Sequence, residues 1–118
     1  MKISTTYRYL KLVEYTSLPL TTALLLYIVS GYGMVSNIPA IIGFNYPLSS
    51  RIHTLPLLRY LTTILVAIHS YAGLAILINR NLWKKPTIKN LLSYINLIYV
   101  TFLILIITMS EIYVILTP

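Results

Sequence analysis

The chain has no cysteine, so it can form neither a disulfide nor a thiolate-bound zinc or iron–sulfur centre by itself. It has few charges. Only 9% of its residues are Asp, Glu, Lys or Arg, against about 25% in an ordinary soluble domain. Just two of those charges are acidic, so a carboxylate cluster for acid–base or metal chemistry is excluded. No glycine-rich phosphate loop and no nucleophile–base set occurs, which argues against a self-sufficient hydrolase or a nucleotide-driven pump. The amino terminus lacks a short apolar core followed by a small-residue cleavage site, so no removable signal peptide is expected.

What is present is apolar surface. Hydrophobic residues make up 58% of 118 residues, more than one small soluble domain can hide from water. The charges that remain divide the chain. Residues 15–50, 60–79 and 90–110 contain no Asp, Glu, Lys or Arg, and about 20 apolar residues are enough for a helix to cross the hydrocarbon core. The expected fold is therefore all-α and integral to the membrane. It is a single membrane domain over residues 1–118 with three transmembrane helices, up-down-up, at about 17–36, 55–79 and 87–115.

Local signals set those limits. Ser17 reads as an N-cap with Pro19 in the first turn, and Asn37 and Pro39 read as the stop. Thr54 reads as the cap of the second helix with Pro56 in its first turn, and Pro86 opens the third. The connection over residues 37–54 mixes Ile41, Ile42 and Phe44 with turn residues, as a segment in the headgroup layer would. Trp83, Tyr94 and Tyr113 fall near helix ends, where aromatic anchors are expected. Lys2, Arg8, Lys11, Arg80, Lys84, Lys85 and Lys89 fall on one side, and Arg51 and Arg59 on the other. That bias predicts the N-terminus inside and the C-terminus outside. Basic residues set between apolar runs are not a nucleic-acid-binding face, so no nucleic-acid partner is expected.

Ionisable groups inside a membrane are the first candidates for function. His69 lies in the second apolar run with Gly73 four residues on, on the same helical face. Neutral imidazole is a common haem ligand, and glycine leaves clearance for a flat macrocycle. Arg59, Thr62, Val66, His69, Gly73, Ile76 and Arg80 follow steps of three and four and form one seam, with an Arg toward either end for propionates. The competing reading is a histidine hydrogen-bonded to a neighbouring helix beside a glycine that permits close packing. His53, sixteen residues earlier, would be roughly 24 Å away on one straight helix, too far to share an iron. Ser30-Gly31-Tyr32-Gly33, with Ala23, Tyr27 and Ser30 on one face, reads as a close-packing surface. Asn96 and Tyr99 share a face of the third helix, as do Thr101, Thr108 and Glu111. Glu111 reads as a proton relay, a partner contact, or a helix-end carboxylate reaching water.

This order of parts resembles the membrane-anchor subunits of succinate dehydrogenase and fumarate reductase. Those are small three-helix proteins in which the second helix often carries a haem b ligand followed by glycine at the fourth place, as in His69-Ser70-Tyr71-Ala72-Gly73. Leu57-Leu58-Arg59-Tyr60-Leu61 and residues 74–80 fit the same layout. The chain departs from the family where Asn79-Arg80 stands in place of an Asp-Tyr pair, and where Ser30 is followed four places later by Met34 rather than Arg. The resemblance implies a non-catalytic subunit of a respiratory redox complex in a prokaryotic cell membrane or the mitochondrial inner membrane. It would hold haem b on His69, Gly73, Arg59 and Arg80, with a second membrane chain giving the other ligand and a soluble redox subunit docked inside. Electrons would pass to or from quinone, for which Arg80, Asn79 and Ser30 are the candidates. The alternative is a cofactor-free accessory subunit of an oxidase, hydrogenase or monooxygenase. A small structural envelope or membrane-remodelling protein is a third reading.

Overall fold

The computed structural model describes residues 3–117, and every regular element in them is helical. Helix α1 is Ile3–Val35, a 3-10 turn spans Pro39–Ile42, α2 is Tyr46–His53, α3 is Pro56–Asn81 and α4 is Pro86–Leu116. Three of these, α1, α3 and α4, are long and apolar enough to cross a membrane. At 1.5 Å per residue they extend about 50, 39 and 46 Å.

The first helix differs from the expected limits. It begins at Ile3, not near Ser17. Charged residues bound an apolar run, but they do not end a helix. Lys11 and Glu14, three apart on one face, form an ion pair at 2.7 Å that suits helical spacing. Ser17 is not a cap; its hydroxyl donates to the Val13 carbonyl inside the helix. Pro19 lies in the helix interior, where it withholds one backbone donor. Thr54 likewise caps nothing at the start of α3. It closes α2, with its hydroxyl on the Ser50 carbonyl, and α3 starts directly with Pro56 after an extended Leu55. The expected loop over residues 37–54 contains two short helices. Gly43 turns the chain between them at φ +94°, a left-handed conformation that suits glycine. Asn45 then caps α2 by accepting from the Leu48 amide at 3.1 Å.

Helix α3 is central. It packs against both α1 and α4, whereas α1 and α4 make little contact. The contacts run antiparallel: Tyr9 with Tyr71 and Thr16 with His69 on one side, and Asn96 with Tyr71 and Glu111 with Arg59 on the other. The resulting row measures 53 × 34 × 21 Å, about two helix diameters thick. Its interior is made mainly of small and polar residues, Thr16, Ala23 and Ser30 of α1, Thr62, Ala67, Ala72 and Ala75 of α3 and Asn96 of α4, with Leu20 of α1 the one large apolar side chain among them. Leu, Ile, Phe and Tyr point outward along all three long helices. Small side chains let helix backbones approach closely. Exposed hydroxyls are satisfied within their own helices: Thr21, Thr22, Thr101 and Ser110 each donate to the carbonyl four residues back.

Candidate functional site: two imidazoles held by α1 hydroxyls

His69 sits on α3 facing α1, with its Nδ1 2.9 Å from the Thr16 hydroxyl oxygen. That oxygen is also 2.6 Å from the Leu12 carbonyl one turn earlier. A carbonyl can only accept, and a threonine has one hydroxyl proton to give. With the hydroxyl proton on the shorter Leu12 contact, the geometry assigns the imidazole as donor to Thr16. In that tautomer the neutral ring has its proton on Nδ1 and its lone pair on Nε2. Nε2 has no hydrogen-bond partner among the described residues and is not sealed inside the chain. Gly73 lies one turn further on. A Cβ built there would meet nothing within 4 Å, so the strip beside His69 is open.

His53 repeats the arrangement. It ends α2 and is not on α3. Its Nδ1 lies 3.1 Å from the hydroxyl of Ser30, which in turn contacts the Tyr27 carbonyl at 3.1 Å. Ser30 is fully buried. The Tyr27 ring stands edge-on to the imidazole, with centroids 5.1 Å apart. Gly31 lies beside the ring, where a Cβ would make an ordinary van der Waals contact, 3.4 Å from His53 Cε1. Gly33 permits the approach of α2 as a whole: its Cβ would fall 2.0 Å from Ser49 Oγ and 2.8 Å from the Phe44 carbonyl oxygen. The small-residue stretch of α1 is thus the seat of α2.

Next to this seat lies an ion pair that joins α3 to α4. Arg59 engages Glu111 in a two-point contact, Nε to Oε1 and Nη2 to Oε2, the latter at 2.8 Å. The Glu111 side chain is only 12% exposed. The Tyr27 phenol lies within range of both charges, and its hydroxyl is buried without a hydrogen-bond partner among the described residues. Tyr27, His53, Arg59 and Glu111 therefore form a polar cluster drawn from all four helices. The pairing was missed at the level of sequence, although one signal was available. Glu111 is the only acid after Glu14, and an antiparallel hairpin brings it level with Arg59.

The remaining candidates separate. Thr108 meets the Tyr60 hydroxyl at 3.3 Å, but Thr101 bonds its own helix. Asn96 is buried, donating to the Tyr71 carbonyl at 3.1 Å, while Tyr99 is exposed. Ser30 lies at the α2 end, and Asn79 and Arg80 lie at the opposite end beside Thr6. Those three residues share no site. Arg59 is engaged by Glu111, whereas Arg80 has no acidic partner among the described residues. No group of three His, Cys, Asp or Glu among the described residues could hold a metal ion. His69 therefore offers a single ligand. Comparison with protein-family models, curated proteins and solved structures finds no match.

Proposed function

We propose that this chain is a membrane-spanning subunit of a larger redox assembly and that His69 presents Nε2 to a b-type haem at a subunit interface. The membrane reading is supported by the inverted distribution of side chains, mainly small and polar within and large and apolar without. It is supported again by hydroxyls that satisfy themselves on their own helices, as a medium without water requires. Thr6, Arg80 and Lys89 border one groove, so the basic segments gather at one end. We assign that end to the inside, in a prokaryotic cell membrane or the mitochondrial inner membrane.

The observation that carries the haem reading is the Thr16–His69 bond. Metal-binding histidines donate their second N–H to a fixed acceptor, which sets the tautomer and the ring orientation. Thr16 plays that part for His69, and Gly73 leaves the adjacent strip flat and clear. A bound haem would supply one-electron chemistry between ferrous and ferric iron. The chain would orient the imidazole and keep water away. The second axial ligand would come from another membrane chain, because His53 is held at Ser30. Such a subunit would anchor a soluble redox partner and assist electron transfer with quinone. The test is the absorbance of the reduced complex. Bands of a b-type haem are expected in the natural protein and should vanish in His69→Ala. Bands that persist in that variant would remove the assignment.

A cofactor-free accessory subunit is the second reading, favoured by one feature: His69 already has in Thr16 the helix–helix partner that a packing histidine needs. On this reading the purified complex carries no haem on this subunit, and His69→Ala changes stability alone.

A further inference from the structure

The end of the molecule that holds the start of α1 and the α3–α4 connection contains a groove of about 400 Å³ lined by Thr6, Ile76, Asn79, Arg80, Trp83 and Lys89. Three helices contribute to it. Two cations, Arg80 from α3 and Lys89 from α4, border it, and Lys84 and Lys85 stand close by in sequence. Lys84 Nζ lies over the Trp83 ring at 5.0 Å.

These cations have no acidic side chain as partner among the described residues. Its only two acidic side chains are Glu14 and Glu111. Glu14 is taken by Lys11 and Glu111 by Arg59, the latter at the far end of the row. An anion seated in the groove would therefore have to come from outside. The groove is also amphipathic, with Ile76 in its lining and an exposed indole at its edge. An indole at this level is the anchor expected at a headgroup layer, and basic pockets between helices at the inner surface suit lipid phosphates.

We propose that this groove is a specific site for the phosphate headgroup of an anionic phospholipid, held between Arg80 and Lys89 with Trp83 at the glycerol level. The proposal rests on the membrane-spanning reading above. It adds to that reading a defined ligand and a defined place.

The test uses the full chain purified in a mild detergent. Phosphatidylglycerol, phosphatidylcholine or inorganic phosphate is added, and retained lipid is read by native mass spectrometry and protection by thermal unfolding. Phosphatidylglycerol should be retained and should raise the melting temperature; phosphatidylcholine and inorganic phosphate should do neither. The double variant Arg80→Gln/Lys89→Gln should weaken retention about thirtyfold, the combined effect of two basic groups at a headgroup. Lys84→Gln/Lys85→Gln, which removes the same charge outside the groove lining, should retain most of it. Equal loss in both double variants would mean a diffuse ionic layer and overturn the site. So would equal protection by inorganic phosphate alone. Absence of any lipid preference, with loss of a protein partner from Arg80→Gln/Lys89→Gln, would assign the groove to an acidic protein surface and also overturn it. Failure of the chain to insert in a bilayer would instead strike at the membrane-spanning reading, and carbonate extraction detects that separately.

Discussion

Two glycines illustrate how differently one residue type can act. Gly33 is pressed by Ser49 and Phe44 of the returning segment. Gly33→Ala should push α2 off α1 at a cost of about 1–3 kcal/mol, the usual penalty for overfilling a packed contact. The measurement is the melting temperature in detergent, with faster proteolysis over residues 37–54 as the local sign. Gly73 faces open space. Gly73→Ala should leave the isolated chain as stable or gain about 0.5–1 kcal/mol, since alanine suits a helix interior better. If a flat cofactor lies on that strip, the same variant should lose haem while keeping its melting temperature. Haem content unchanged in Gly73→Ala would argue against that placement. Thr16 gives the third residue-level outcome. Thr16→Val keeps the shape but strands the His69 Nδ1 proton, and should cost about 1 kcal/mol. Thr16→Ser should recover most of it.

At the scale of elements, the α3–α4 hairpin depends on a few polar contacts, because Asn96 is the only residue of α4 that is buried. Arg59–Glu111 closes the end of the hairpin away from the connection, and Tyr60–Thr108 stands beside it. Removing one partner of such a pair leaves a charge without compensation, whereas replacing both by apolar groups can be close to neutral. Glu111→Gln and Arg59→Met should each lower the melting temperature, and Arg59→Met/Glu111→Leu should recover much of the loss. A double variant no better than the worse single would mean that the pair serves something other than cohesion of the two helices. The segments that sequence reading placed least well also belong to this scale. A charge-free run marks what lipid would tolerate, not where hydrogen bonding stops, so α1 extends back to Ile3, well before the expected start near Ser17. Helix α2 has few apolar residues and no long period. Its existence depends on Asn45 as cap and on the seat at Gly33, and neither is visible in a linear pattern.

At the scale of the whole molecule, the row of three helices leaves large apolar side chains exposed along each of them. The natural absence of cysteine makes the membrane reading easy to check. Asn37→Cys and Lys84→Cys, both at exposed positions, would each carry the only thiol in the chain. An impermeant maleimide added to intact cells should label the residue 37 variant, and the residue 84 variant only after the membrane is opened. The reverse result would invert the orientation. Labelling of both in intact cells would remove the membrane-spanning arrangement and the inner lipid groove together.

Composition and charge spacing alone determined that the chain forms three long apolar helices, because length and hydropathy are local properties summed along a run. His69 was legible as the chief candidate for the same reason: an ionisable group within such a run stands out. Tertiary structure decided the partners. Thr16 meets His69, Ser30 meets His53 and Glu111 meets Arg59 across separations of 53, 23 and 52 residues. Such meetings depend on the register between antiparallel helices, which small residues such as Ala67, Ala72 and Gly33 set by how closely they let backbones approach. A one-dimensional pattern carries the faces of each helix but not their relative height, and it is the height that sets Thr16 against Nδ1 of His69.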